Sequence, residues 1–284
     1  MENLCLAGVV GAGVMGSGIA QAFAVAGIPV VLTSRSDEGL QRAMTAISGS
    51  MDRLIKKEKM TVTQKVEALA RISTARDLSS VAGCDIVIEA VSEDETLKLD
   101  MLRQLDMLAG AETILASNTS SLSITQLAAA TRHPQRVIGL HFFNPVPMME
   151  LVEVVRGVQT ADSVAESVEA VVLRLGKVPV RAANRPGFVV NRLLCPMINE
   201  AIFALSEGLA SAAEIDEAMK LGANHPIGPL ALCDLIGLDV QLAIMRRLFE
   251  RFGEAKYRPA PMLVELVEAG YLGRKTGRGF FVYD

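Results

Sequence analysis

Cysteine is scarce and scattered in this sequence. Cys5, Cys84, Cys195 and Cys233 form no C-x-x-C pair and no zinc-ligand spacing, so neither a metal site nor a disulfide framework is expected. Buried thiols in a reducing, cytoplasmic setting are the reading left. Charge of either sign is missing from residues 3–34, a stretch long enough to be mistaken for a membrane span. Its texture argues against one. Gly8, Gly11, Gly13, Gly16, Gly18, Gly27 and Pro29 interrupt it, polar Ser17 and Gln21 sit inside it, and the opening Met1-Glu2-Asn3 lacks the positive start of a secretory signal. No second uncharged stretch of that length follows, so no membrane association is expected. An overall excess of charge is lacking too: 28 basic against 32 acidic residues give a formal net charge of −4, with no pull toward nucleic acid. What is present is globular composition, 50% hydrophobic and 21% charged over 284 residues. At ~150 residues per domain, that length suggests about two domains.

Strand and helix signals alternate through the first part of the chain. Residues 4–10, 30–33, 85–89, 113–116 and 136–140 read as short buried strands. Helices are expected at 14–26, 37–59, 63–70, 93–109 and 124–130, the fourth with Leu97, Met101, Leu105 and Leu108 on one face. This alternation predicts an α/β fold, a Rossmann-type doubly wound parallel sheet with helices on both faces. Past the Asn184-Arg185-Pro186-Gly187 turn the pattern becomes helical, at 187–206, 213–220, 230–251 and 262–268, with one closing strand at 279–283. The expected domains are therefore 1–183, dinucleotide-binding, and 184–284, all-helical.

Gly11-Ala12-Gly13-Val14-Met15-Gly16 fits G-x-G-x-x-G between an apolar strand and a helix, the context that gives this pattern meaning. Gly11 permits the tight turn, Gly13 lets a pyrophosphate approach the backbone, and Gly16 lets helix and strand pack closely. The helix start then offers N–H groups and positive dipole to the phosphates. Chains that bind NAD place an acid ~20 residues on, against the ribose 2′-hydroxyl. Here that place reads Leu32-Thr33-Ser34-Arg35. A carboxylate would repel a 2′-phosphate, whereas the Ser34 hydroxyl and the Arg35 guanidinium can bind one, so NADP is favoured over NAD. A solvated loop arginine that leaves cofactor choice unchanged is the competing reading.

A nicotinamide enzyme acting on an alcohol needs a base for the hydroxyl proton, and histidine suits that role near neutrality. The sequence has three. His133 and His225 fall in proline-containing turns, with His133 read as a surface residue. His141 follows the apolar run 137–140, at the carboxyl edge where open α/β sheets hold ligands, with Asn144 just beyond. From spacing alone Glu153 reads equally as an exposed strand-edge acid, Ser120 with Ser121 as a helix N-cap, and Asn191 as a helix-surface amide.

The stretches GVVGAGVMGSGIAQAFA (8–24), ASNTSSLSIT (116–125), GLHFFNPVPMMELVEVVRG (139–157), PGFVVNRLLCPMINEA (186–201), MKLGANHPIGPLAL (219–232) and LGRKTGRGFFVY (272–283) resemble the L-3-hydroxyacyl-CoA dehydrogenase family, in its bacterial 3-hydroxybutyryl-CoA dehydrogenase type. The resemblance runs nearly end to end. It implies hydride transfer between a nicotinamide cofactor and C3 of a short-chain (S)-3-hydroxyacyl-CoA. It also implies a catalytic His141–Glu153 pair, with Ser120 and Asn191 near the reacting oxygen. Glu153 would hold the imidazole in one tautomer and stabilise its charged form. Cofactor contacts are implied at Glu93, Lys98, Ser120, Asn144 and Lys275, with Ser117 and Asn118 alongside; Asp94 stands where the family commonly has asparagine. Within the basic run 53–59, which alone reads as a solvated helix end, Arg53 and Lys57 match positions that touch the CoA phosphates, while Lys56 and Lys59 stay bland. A homodimer through the helical domain is implied as well, and the length leaves no room for a fused hydratase. Competing readings are a non-catalytic relative of the λ-crystallin kind and a dehydrogenase of a non-CoA hydroxy acid.

Overall fold

The structure is a computed structural model and describes residues 5–283; the Met1-Glu2-Asn3 opening and Leu4, with which the first expected strand begins, lie outside the described residues. The chain divides into two compact units, Met1–Asn184 and Arg185–Asp284. No helix among the described residues is long and apolar enough to cross a membrane, and no group of three or more His, Cys, Asp or Glu side chains there could hold a metal ion.

The first unit runs β1 (Ala7–Val10), α1 (Val14–Val25), β2 (Val30–Thr33), α2 (Asp37–Lys56), α3 (Val62–Ala70), β3 (Ile72–Ala75), β4 (Ile86–Glu89), α4 (Glu95–Leu108), β5 (Ile114–Ser117), α5 (Ile124–Ala129), β6 (Val137–Phe142), β7 (Leu151–Arg156), α6 (Asp162–Arg174) and β8 (Val178–Ala183). Its eight strands lie in the order β3-β2-β1-β4-β5-β6-β7-β8. Every pairing is parallel except the antiparallel β6–β7. The uncharged stretch becomes β1, α1 and β2. Val9, Val30 and Leu32 of the strands and Ile19 and Phe23 of α1 are buried in one apolar cluster. β1 and residues 16–24 of α1 are buried without a break, which leaves no place for a charge there, while Val14 and Val25 at the ends of α1 are exposed.

Several sequence expectations are corrected. β3, β7, β8 and α6 had no counterpart in the sequence reading. β3 is an edge strand carrying Ser73 and Thr74, and β8 carries Pro179 and Arg181, so neither shows an apolar run. α2 stops at Lys56, because Glu58 turns to φ +56°. The buried residues of α4 are Lys98, Leu102, Leu105 and Asp106 rather than the 97/101/105/108 stripe, since Lys98 and Asp106 find buried partners. Cys5 is exposed, whereas Cys84, Cys195 and Cys233 are buried, and burial pushes the Cys84 and Cys195 thiols up to about 11 and about 12. His133 is half-buried and its ring nitrogen meets Asp106 at 3.0 Å.

The second unit contains α7 (Val190–Ser206), α8 (Ala212–Ala223), α9 (Pro229–Ile236), α10 (Leu238–Phe252) and α11 (Pro261–Glu268), around Ile198, Ile202, Leu230, Leu242 and Leu263. The single helix expected at 230–251 is two, broken at Gly237 with φ +105°. The closing strand is absent. That end forms only isolated antiparallel bridges, Gly273 with Arg278 and Arg278 with Val282, and the buried Asp234 carboxylate accepts the N–H groups of Phe280 and Phe281 and the Tyr283 hydroxyl.

Candidate active site

The glycine turn follows β1, beside the point where strand order reverses between β1 and β4, which is where open α/β sheets hold ligands. Gly11 has φ +111°, and a Cβ there would stand 2.6 Å from the Ala90 carbonyl oxygen. A Cβ on Gly16 would stand 1.7 Å from the Gly11 oxygen. A Cβ on Gly13 would meet nothing within 4 Å. Two glycines are thus required by the protein's own packing, and the third borders open space. Gly13 is also the N-cap of α1 and caps it with no side chain, so the first-turn N–H groups have no side-chain cap. A bare helix start above an open glycine suits a pyrophosphate. Ala12 and Met15 are half-buried and Val14 is exposed at this turn.

A cleft of about 410 Å³ opens beside it, lined by Ala12, Gly13 and Val14 on one side and Arg42, Ser50 and Arg53 of α2 on another, with Asn144 at its border. Arg53 therefore lines the cleft, whereas Lys57 is the C-cap of α2 and is not among the lining residues. Ser34 follows β2. Its amide donates to the Ala75 oxygen, and its Oγ lies 2.9 Å from where a Cβ on Gly39 would be, so the hydroxyl faces the first turn of α2. Arg35 is exposed next to it.

At the ends of β4 and β5 a buried polar network forms that the sequence reading named only in part. Glu89 ends β4 and is fully buried. It accepts from Lys98 Nζ at 2.6 Å, Val91 N at 2.7 Å and Ser117 Oγ at 2.6 Å. Lys98 also donates to the Val91 oxygen and lies 3.5 Å from Glu93 Oε2. Its ammonium is thus committed inside the protein. Glu93 Oε1 collects the Thr119 hydroxyl (2.6 Å), the Ser121 hydroxyl (2.7 Å) and the Ser120 N–H (3.0 Å), with Ser120 Oγ at 3.4 Å. Burial would raise the Glu93 carboxyl, but Lys98 and these donors outweigh it and hold it below the ordinary carboxylate value. The N-cap of α5 is Ser123, so Ser120 and Ser121 are not that helix's cap. Glu89 was missed, although an acid ending the apolar run Ile86-Val87-Ile88 was a visible signal.

His141 lies inside β6, not past it, and Glu153 is its register partner on β7. His141 Nδ1 and Glu153 Oε2 are 2.6 Å apart, with the side chains 8% and 0% exposed. A buried carboxylate accepts here, so Nδ1 carries the proton and Nε2 is the basic nitrogen of the neutral ring. The Asn118 side-chain oxygen accepts the Phe142 N–H at 3.0 Å, tying β5 to the end of β6. In the second unit, Asn191 is half-buried in the first turn of α7, and Lys275 Nζ contacts both Asp239 oxygens, at 2.5 and 2.7 Å.

Comparison with known proteins agrees with this geometry. Residues 6–185 match the family model of the 3-hydroxyacyl-CoA dehydrogenase NAD binding domain, and residues 187–283 match that of the C-terminal domain. The chain belongs to the 3-hydroxyacyl-CoA dehydrogenase family. Among its relatives, a 3-hydroxybutyryl-CoA dehydrogenase of Bradyrhizobium diazoefficiens is 51% identical over 97% of this chain and 94% of its own. One of Clostridioides difficile is 49% identical over 97% and 98%. The crystal structure of (S)-3-hydroxybutyryl-CoA dehydrogenase from Ralstonia eutropha superposes with a TM-score of 0.96 at 56% identity, covering 99% of this chain and 100% of that one.

Proposed function

We propose that this member of the family is a 3-hydroxybutyryl-CoA dehydrogenase, interconverting short-chain (S)-3-hydroxyacyl-CoA and 3-oxoacyl-CoA. The observation that carries the reading is the buried 2.6 Å contact between His141 and Glu153 in a chain of this family. A nicotinamide dinucleotide, when bound at the glycine turn, supplies or accepts the hydride at C3. The protein's part is proton transfer. In reduction His141 gives the Nε2 proton to the developing alkoxide; in oxidation the neutral ring takes it from the hydroxyl. Glu153 holds the ring's tautomer and faces the positive charge that forms. Ser120, whose amide is fixed by Glu93, donates its hydroxyl to the carbonyl oxygen, and Asn191 holds the substrate by its amide. Arg53, on the cleft, and Lys57, at the end of α2, meet the CoA phosphates. Asn144, Asn118 and Lys275 serve the dinucleotide, and Lys98 acts on it through Glu93.

The same reading takes NADP over NAD. The end of β2 bears Ser34 and Arg35 instead of an acid; on the neighbouring strand end Arg76 is paired with Asp37 at 3.3 Å, so the reading rests on Ser34 and Arg35. A cytoplasmic location fits the buried thiols of Cys84, Cys195 and Cys233. A homodimer through the helical unit fits its exposed Leu193, Leu209, Leu221 and Leu235. The test is an initial-rate assay with acetoacetyl-CoA, run with NADPH and with NADH. Wild type turns over, better with NADPH, and His141→Ala loses about 10²- to 10⁴-fold in kcat. Absence of turnover by wild type refutes the activity. A clear NADH preference refutes the cofactor assignment.

A further inference from the structure

The connection between His141 and Glu153, residues 143–150, is clamped by a lysine that belongs neither to the glycine turn nor to the polar network around Glu89 and Glu93. Lys177 follows α6 and is 7% exposed. Its Nζ donates to the Val146 oxygen at 2.6 Å and to the Met149 oxygen at 2.7 Å. The connection is wound into a turn, with the Met148 and Met149 amides both donating to the Pro145 oxygen. Its opposite side rests on α1: a Cβ on Gly18 would stand 2.8 Å from Val146 Cβ. Val146, Pro147 and Asn144 line the same cleft as Ala12, Gly13 and Val14. Burial lowers the Lys177 pKa and nearby Glu150 opposes the effect. A buried ammonium is costly and is kept where its hydrogen bonds are needed. An apolar stem of the same length would fill the space equally well and would leave the buried Val146 carbonyl and the partly buried Met149 carbonyl without that donor.

We propose that Lys177 is a positioning residue for the reaction. Its ammonium fixes the 143–150 connection so that Asn144 and Val146 line the cleft they share with the glycine turn, where the dinucleotide binds. The inference rests on the proposed reading that Asn144 serves the dinucleotide. The His141–Glu153 pair itself is set by strand register, so it does not depend on Lys177.

Two substitutions loosen the connection from opposite sides. Lys177→Met removes the donor and keeps the stem. Gly18→Ala pushes on Val146 from α1 and improves helix propensity, so it remains informative if Lys177→Met does not fold. The readouts are the dissociation constant for the reduced dinucleotide by fluorescence titration, amide exchange at Met148 and Met149, and the pH profile of kcat. For each variant the expected result is a dissociation constant raised about tenfold, faster exchange at both amides, and an unchanged shape of the pH profile. The inference is overturned if folded variants bind the dinucleotide as wild type does, or if the pH profile changes shape with the affinity, which would make the effect a general loosening of the site. Failure of the wild-type protein to bind any dinucleotide would sink the proposed function instead.

Discussion

Replacing Glu153 by glutamine removes one charge from the site and almost no volume. An alanine there would leave an empty space at a fully buried position and remove the acceptor of His141 altogether. Glutamine can still offer its side-chain oxygen to Nδ1, so the neutral ring keeps its orientation. What is lost is specific to the charged ring. A charge-assisted hydrogen bond contributes roughly 1.5–3 kcal/mol against roughly 0.5–1.5 for a neutral one. For charge centres about 4 Å apart, at an effective dielectric near 20, Coulomb attraction is worth up to about 4 kcal/mol. At about 1.4 kcal/mol per decade, the expected fall in kcat lies between about 10- and 1000-fold. Measured in the oxidative direction, KM for (S)-3-hydroxybutyryl-CoA changes little, because the ground-state ring is neutral there and Glu153 acts on the charge that forms only as the hydroxyl proton is taken. A double-mutant cycle sharpens the result. On a His141→Gln background, Glu153→Gln costs nothing further if Glu153 works through the histidine. A kcat within threefold of wild type, or a full penalty on the His141→Gln background, would refute the reasoning.

Arg53→Glu combined with Lys57→Glu is expected to raise KM for acetoacetyl-CoA by about tenfold or more and to spare the dinucleotide KM; an unchanged acyl-CoA KM removes both residues from the CoA assignment. Ser34→Asp places a carboxylate at the end of β2 and is expected to weaken NADPH by at least about tenfold while improving NADH, read as the ratio of the two kcat/KM values. Asp106 offers an acid-stability test. Burial would raise its carboxyl, but the Arg132 amide, Arg136, His133 and the Arg132 side chain outweigh burial and hold it well below the usual carboxylate range. Its stabilising contribution is therefore complete above the unfolded value near pH 4 and is lost as pH falls from there through the lower folded value. Asp106→Asn strands the buried Arg136 and is expected to cost about 3–5 kcal/mol at pH 7, with the gap to wild type narrowing in urea titrations repeated toward pH 2. A gap that stays constant with pH would show that the charge is not what matters.

How far the sequence spoke depended on which residues had to carry the signal. The β1–turn–α1 unit was legible because burial of β1 and of the middle of α1 forbids charge and close packing demands glycine at 11 and 16, so composition itself recorded the geometry. β3 and β8 were not legible. They sit toward or at the edge of the sheet, carry polar residues or proline, and draw their order from neighbours already in place. The α4 face was misread for the opposite reason. Lys98 and Asp106 look like surface residues by type, and only the distant Glu89 and Arg136 explain their burial. Long-range polar pairing has no local pattern, and the same holds for Lys177, whose partners are main-chain oxygens with no residue type to recognise.

The antiparallel β7 decides what the site can be. In a wholly parallel sheet, β7 would need a long crossover before its carboxyl end returned to the edge where β6 ends. Reversal brings the first residues of β7 to that edge directly, so a short connection suffices between His141 and Glu153. The register then does the rest: Ile138 faces Arg156, and by the same count His141 faces Glu153. A slip of one residue would turn the Glu153 side chain to the other face of the sheet and leave the histidine without it. The apolar residues on both sides of Glu153, Val152 and Val154, are buried and resist such a slip. The His141–Glu153 pair is therefore held by the hydrophobic pattern of β7, and the 143–150 connection is relieved of that duty. It is left to line the cleft, so Lys177→Met should loosen it without moving the His141–Glu153 pair.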